Sequence, residues 1–340
     1  MSNKYNINQC ALYKCSSKKR LEHLLNIEPG DLKNIDYAIK YNNFEIAKKN
    51  SNEMRKITAP EYTIKTIQRR ILYLLQRVIR PEWLISGEKG KSYIDNGKTH
   101  LGNNYALAID IKRFYDNCKR EPVYQFFKQK LLTSSDVAEI LTNIVTFEGG
   151  IPTGCPTSQI IAYYAYEDMF NEISKIALKY NCTFSLYVDD MTFSSKKTFN
   201  PKSLSREVDI ILRRYGHTPK YKKVKYYSKD EPFPVTGTIV SNDGRLIAPN
   251  SLQKKIYDNF QNIKNIDNSN KVYDENQKKK ILSIKGQIQA VQYFDSRKFP
   301  EIERIVNLYD LQLCNTPNKN RQNKHSGKIK IKAKRIGNAG

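Results

Sequence analysis

Two carboxylates stand side by side between two apolar, β-prone runs in Phe184-Ser185-Leu186-Tyr187-Val188-Asp189-Asp190-Met191-Thr192-Phe193-Ser194. The pattern predicts a tight β-hairpin with the aspartates at its tip. Adjacent Asp side chains repel each other, and a turn does not need two of them. Taken alone, Tyr-x-Asp-Asp is as easily a solvated turn. A second stretch, Ala106-Leu107-Ala108-Ile109-Asp110-Ile111-Lys112-Arg113-Phe114-Tyr115, changes that balance. There an apolar strand ends in a lone carboxylate. A strand-borne Asp110 facing the hairpin-borne Asp189 and Asp190 offers the ligand set for two Mg²⁺ ions in phosphoryl transfer, with the carbonyl of Ile111 a further ligand. Hard Mg²⁺ takes carboxylate oxygens and keeps positions open for phosphate. Two ions about 3.5–4 Å apart activate an attacking oxygen and stabilise a leaving one, and Mn²⁺ can substitute.

Carboxylates held at such a point need a sheet and helices behind them. Thr63 to Trp83 carries Ile64, Ile67, Ile71, Leu74, Leu75 and Val78 at helical period. Arg69, Arg70, Arg77 and Arg80 decorate that helix as a candidate nucleic-acid face. Val123–Leu132 and Val137–Phe147 also read as helical. Gly149 to Gln159 is dense in Gly and Pro, which fixes an irregular loop, and Gly154 permits close backbone approach to a ligand. A long helix follows, Gln159 to Tyr180, and after the hairpin a further one, Pro201 to Tyr215. Asn43–Lys49 and Met54–Ile57 read as two strands around a polar turn, with basic residues able to grip a triphosphate. Tyr115 lies where a rigid ring would occupy the space of a ribose 2′-hydroxyl. His100 is a lone histidine, better suited to positioning than to chemistry. Residues 1–50 read as a helical extension, Ser251 to Leu313 as a basic helical module and Thr316 to Gly340 as a basic tail.

The 340 residues carry 58 Lys+Arg against 34 Asp+Glu, a net charge of +24. Such an excess points to a polyanionic partner bound by counterion release. No stretch reaches the ~18–20 apolar residues of a membrane span, and Met1 to Lys19 has no apolar signal core. Six cysteines and four histidines are scattered without a Zn spacing, which predicts reduced thiols and a cytoplasmic protein.

At these residues the sequence resembles a bacterial reverse transcriptase of the retron type. Arg55-Lys56-Ile57 with Pro60 resembles the fingers segment that contacts the triphosphate. Asp110 to Tyr115 resembles the first palm motif, Ile151 to Ser158 the loop-helix motif, and Tyr187-Val188-Asp189-Asp190 the catalytic box. Lys222-Lys223 falls where the next motif keeps its lysines. Asn96-Gly97-Lys98-Thr99-His100 is similar to a retron Asn-Ala-x-x-His element, with Gly for Ala, and Val235-Thr236-Gly237 to a retron Val-Thr-Gly element. Thr153 and Arg113 depart from the commoner Gln and acidic residue.

The resemblance implies an α+β right-hand polymerase. Residues 1–40 would be an N-terminal extension, 41–105 fingers (with 120–150 contributing), 106–248 palm, 249–313 a helical thumb and 314–340 a tail. It implies RNA-directed DNA synthesis on dNTPs, with Arg55, Lys48, Tyr115, Thr153, Gly154 and Lys223 at the nucleotide. Asn96, His100, Val235, Thr236, Gly237, Lys254 and Lys285 would meet a cognate structured RNA. Priming would come from a guanosine 2′-hydroxyl, leaving a branched RNA–DNA hybrid (msDNA) used with a separate effector protein in anti-phage defence. Another defence-associated or intron-type reverse transcriptase, an RNA-dependent RNA polymerase and a nucleic-acid-holding scaffold are the alternatives.

Overall fold

The computed structural model describes residues 4–47, 54–264 and 275–314, with side chains described to residue 310. Lys48 and the tail from residue 315 lie outside the described residues. The chain opens with helices α1 (Lys18–Leu25) and α2 (Ile35–Ala38), then the antiparallel hairpin β1 (Tyr41–Ala47) and β2 (Met54–Pro60). Helices α3 (Tyr62–Leu75) and α4 (Tyr93–Thr99) lead to β3 (Tyr105–Asp110). Next come α5 (Phe114–Asn117), α6 (Arg120–Gln125), α7 (Ser135–Val145), α8 (Ser158–Ala165) and α9 (Glu167–Lys179). The hairpin β4 (Thr183–Tyr187) and β5 (Asp190–Ser195) precedes α10 (Pro201–Arg214) and β6 (Lys225–Tyr227). Short strands β7 (Phe233–Val235), β8 (Thr238–Val240) and β9 (Leu246–Ile247) form a small sheet. The chain closes with α11 (Asn250–Lys264), α12 (Glu275–Gln292) and α13 (Pro300–Cys314).

A four-stranded sheet in the order β4-β5-β3-β6 is the platform of the molecule, and its ladders are antiparallel. Alternation sets its register: Leu107, Ile109, Phe184, Leu186, Met191 and Phe193 are buried in one large core with α3, α7, α8, α9 and α10. A one-residue slip would turn that set to the other face, so the apolar pattern fixes which residues sit at the strand ends. The helices α11–α13 have a separate core built on Ile256, Phe260, Ile281, Ile284, Ile288 and Val306.

Three elements differ from expectation. The long helix after the Gly/Pro loop is broken at Tyr166, which leaves helical dihedrals (φ −120°, ψ 22°). Its hydroxyl donates to Asn117 O at 3.1 Å and accepts from Lys119 N–H at 3.0 Å, so the side chain is anchored behind the Asp110 segment rather than along the helix. The N-terminal residues are not an appendage: Leu12, Cys15, Leu21 and Leu25 are in the main core, and Tyr5 N–H reaches Arg77 O at 3.1 Å. The helical pattern at 123–132 resolves into α6 and a π-helical turn, Phe126–Lys130.

Candidate active site

Asp110 is the last residue of β3 and Asp190 the first of β5, and the two are register partners across the sheet. The β4–β5 turn and the β3–β5 ladder put both at one sheet end. Asp189 occupies the turn of the β4–β5 hairpin, whose closing pair is Tyr187 and Asp190. A two-residue turn with positive φ at its first central residue only is of the II′ kind, where glycine is the preferred occupant. Here the residue is Val188, with φ 62°. A β-branched residue in that region costs about 1–3 kcal/mol, and the surroundings hold it there. Val188 N–H donates to the buried Ser86 hydroxyl at 2.9 Å. On the outer edge of β4, Leu186 N–H donates to Trp83 O at 2.8 Å and Ile85 N–H to Leu186 O at 3.0 Å. Trp83–Ser86 is thus an extra edge segment that fixes the hairpin. No chemical motif marked it in the sequence; only its apolar run before Gly87 hinted at order.

The backbone ties the carboxylates together. Ile111 N–H donates to Asp189 O at 3.0 Å, and Lys220 N–H to Asp110 O at 2.7 Å. Burial, and then the charge of Asp110, push the Asp189 carboxyl above its ordinary range. Burial, followed by the charges of Asp189 and Asp110, pushes Asp190 up to about 7. Lys223 Nζ lies 2.6 Å from Asp110 Oδ2 and compensates part of this repulsion. Three crowded oxygen donors with excess negative charge fit a hard divalent cation. Among the described residues no three His, Cys, Asp or Glu side chains form a group that could hold a metal ion, so the three aspartates stand near one another without being gathered into a finished ligand set.

Around this centre the structure brings some expected residues together and not others. Tyr115 is half-buried, its ring 5.5 Å from that of Phe114, and burial with the nearby Asp189 charge raises its hydroxyl well above the ordinary value. Arg55 projects from β2, close enough for its charge to act on Asp189. Thr153 Oγ1 donates to Lys56 O at 3.0 Å. Gly154 admits a close approach, but of protein: a Cβ there would sit 2.6 Å from Thr58 O and 2.9 Å from Ala59 Cα. Its glycine lets β2 dock on the loop, which corrects the expectation of a ligand at that backbone.

The retron-like elements are also corrected. Asn96 and His100 are fully buried and Val235 nearly so, leaving them no surface for RNA. His100 instead bridges the two strands of the aspartate hairpin, Nδ1 to Ser194 Oγ at 2.6 Å and Nε2 to Ser185 Oγ at 2.7 Å. Asn103 Nδ2 donates to the same Ser194 hydroxyl at 2.7 Å. Asn96 Nδ2 donates to Thr236 Oγ1 at 3.0 Å, so the two elements touch each other, α4 against the β7–β8 turn. Thr236 is half-buried and Gly237 exposed. Lys254 is exposed on α11, whereas Lys285 is paired with Asp310 between α12 and α13. Arg80 is not on a nucleic-acid face: its buried Nε meets the buried Glu88 Oε1 at 2.5 Å, and Lys4 Nζ meets Glu88 Oε2 at 2.6 Å. Ser86, Ser185, Ser194 and Asn103 are the supporting residues that sequence reading missed.

Known proteins resemble this chain in sequence. The chain is similar to the Retron Se72 reverse transcriptase of Salmonella heidelberg (strain 579083-10), 26% identical over 206 residues, which are 58% of this chain and 52% of that protein. It is similar to the Retron Ec83 reverse transcriptase of Escherichia coli, 26% identical over 222 residues, 62% of this chain and 71% of that protein. The chain spans about half the length of several curated relatives it matches, 52% and 43% for two of them. Among solved structures it is similar to that of the foamy viral protease-reverse transcriptase with double-stranded DNA, at 15% identity and a TM-score of 0.46, covering 94% of this chain and 46% of that one. Residues 46–240, which hold β2, the β3 strand with Asp110 and the β4–β5 hairpin with Asp189 and Asp190, match the model of the reverse transcriptase (RNA-dependent DNA polymerase) family, and the chain belongs to that family.

Proposed function

We propose that this chain is an RNA-directed DNA polymerase of the retron kind, copying part of a cognate structured RNA. The observation that carries the reading is the pairing of Asp110 with Asp190 at one sheet end, with Asp189 in a strained turn beside them. Asp110, Asp189 and Asp190 would hold two Mg²⁺ ions, with the Ile111 carbonyl alongside. When bound, such ions lower the pKa of a primer hydroxyl and neutralise triphosphate charge.

The chain's own residues do the positioning. Lys223, now on Asp110, exchanges that carboxylate for phosphate when a dNTP enters. Arg55 approaches from β2 as a second cation for the triphosphate, and Lys48, outside the described residues, is a further candidate. The Tyr115 ring, backed by Phe114, forms a wall that excludes a ribose 2′-hydroxyl. Thr153 and Gly154 hold β2 against the loop that floors the nucleotide. Thr236, Gly237 and Lys254 remain candidates for RNA contact. Priming from an internal guanosine 2′-hydroxyl, an msDNA product, a separate effector and a role in anti-phage defence complete the proposal. The similarity to Retron Se72, Ec48, Ec83 and Ec86 reverse transcriptases supports the retron kind.

The test is extension of a DNA primer on an RNA template with dNTPs and Mg²⁺. Asp189→Asn is expected to lower the rate on the order of a thousandfold or more while RNA affinity stays within about twofold. Extension by the variant at the wild-type rate would remove Asp189 from the site.

A further inference from the structure

The outward side of α3 carries a pattern that the aspartate site does not use. Ile64, Ile67, Gln68, Ile71, Leu74 and Leu75 face the core. At 3.6 residues per turn, Tyr62, Thr66, Arg69 and Tyr73 form one row on the opposite side, with Lys65 and Arg70 flanking it. Tyr62 is 70% and Tyr73 49% exposed, and Arg69 is exposed. The Arg70 guanidinium lies 5.2 Å from the Tyr73 ring centre, held there by its Nε–H donating to Leu24 O at 2.7 Å. Just past the helix, Arg77 lies 5.2 Å from the ring of Tyr5. No Asp or Glu occurs within α3. Arg80, farther along, is buried on the Glu88 carboxylate and is not part of this row.

Exposed rings between cations, with no carboxylate in the helix, fit a polyanion that also offers flat faces. Single-stranded nucleic acid does so: its phosphates release counterions to Arg and Lys, and each base stacked on an aromatic ring is worth about 1–3 kcal/mol. A paired duplex hides its bases, and an acidic peptide has no such faces. The row begins two residues after β2, the strand that carries Arg55, so it runs from the base of the β1–β2 hairpin over an α3 length of about 20 Å.

We propose that the outward row of α3, Tyr62, Arg69 and Tyr73 with Lys65, Arg70 and Arg77, binds an unpaired segment of RNA outside the catalytic cleft. The assignment rests on the RNA-directed reading above. The experiment measures the affinity of the full chain for a labelled 25-nucleotide unstructured RNA at two salt concentrations. Extension of a short primer–template whose RNA ends inside the cleft is measured in parallel. For the double variant Arg69→Gln/Tyr73→Ala, the dissociation constant should rise about tenfold and the salt slope fall by about one. Extension of the short duplex should stay at the wild-type rate. Tyr73→Phe keeps the stacking ring and should retain wild-type affinity.

Unchanged affinity in the double variant would overturn the proposal, and the row would then serve a different partner. Equal loss on the short duplex, or a Tyr73→Phe defect as large as that of the double variant, would also overturn it. The affinity arm is repeated in an Asp189→Asn background. Failure of the polymerase reading appears as no extension by the wild type, whereas failure of the α3 assignment appears as unchanged RNA affinity.

Discussion

Val188 sits at φ 62° immediately before Asp189, held there by Ser86, while Trp83 and Ile85 fix the neighbouring Leu186. The strain is local and the support is distant in sequence, which keeps Asp189 and Asp190 at fixed separation from Asp110 without a glycine that would loosen the turn. At the same scale, Tyr115 is a rigid ring whose hydroxyl stays protonated, because burial and the Asp189 charge both oppose its ionisation. Tyr115→Ala is expected to raise ribonucleotide incorporation relative to deoxyribonucleotide by tenfold or more, on the order of 1.4 kcal/mol of lost discrimination. Competition between the two nucleotides at one template position checks this, and unchanged selectivity would take Tyr115 out of the gate. The meeting of Asp110 with Asp190 was legible because an apolar strand ending in a lone carboxylate accompanies an apolar hairpin tipped by two. Ser86, Ser185 and Ser194 were not, because a buried serine has no periodicity and its partner is known only once the strands are paired.

Between elements, the packing of α4 on the β7–β8–β9 sheet accounts for a residue that departs from the retron pattern. A Cβ on Gly97 would lie 2.4 Å from Thr238 Oγ1 and 3.0 Å from Leu246 Cδ2. This chain fills with Thr238 the space an alanine would need. Gly97→Ala should therefore destabilise the fold by about 1–3 kcal/mol. Combined with Thr238→Ala, the loss should fall short of the sum of the two single losses by at least about 0.5 kcal/mol. Chemical denaturation of the four proteins checks this, and strict additivity would contradict the contact. The expected strands and most helices were legible through apolar periodicity. The break at Tyr166 was not, since the apolar period of α8 and α9 continues across it and only the anchoring of the Tyr166 hydroxyl ends the first helix. His100 was read from sequence as positioning, and its bridge between β4 and β5 is that role in atoms.

Over the whole molecule, the net charge of +24 is carried on a fold whose central carboxylates are crowded and in which His100 and His217 are buried. Among the described residues, no helix is long and apolar enough to cross a membrane. Burial holds His100 down at about 3, against an ordinary 6.5 in the unfolded chain. Between those values the unfolded chain binds a proton that the folded one does not. His100 therefore contributes stability above about pH 6.5, and that contribution is lost as the pH falls toward 3. Asp189 and Asp190, raised in the fold, work with the opposite sign over part of that range. The histidine's share is thus read as a difference. The stability gap between wild type and His100→Gln should narrow by about 1.4 kcal/mol per pH unit below 6.5, and parallel denaturation profiles would contradict it.

The most direct measurement is of the nucleic acid that the protein carries when purified from its native locus. Wild type and Asp189→Asn are compared on a denaturing gel, each with and without RNase and a debranching enzyme. The account predicts a discrete DNA in the wild type whose mobility shifts on either treatment, and none in the variant. A discrete RNA without DNA in both samples would contradict it, and so would DNA that persists in Asp189→Asn.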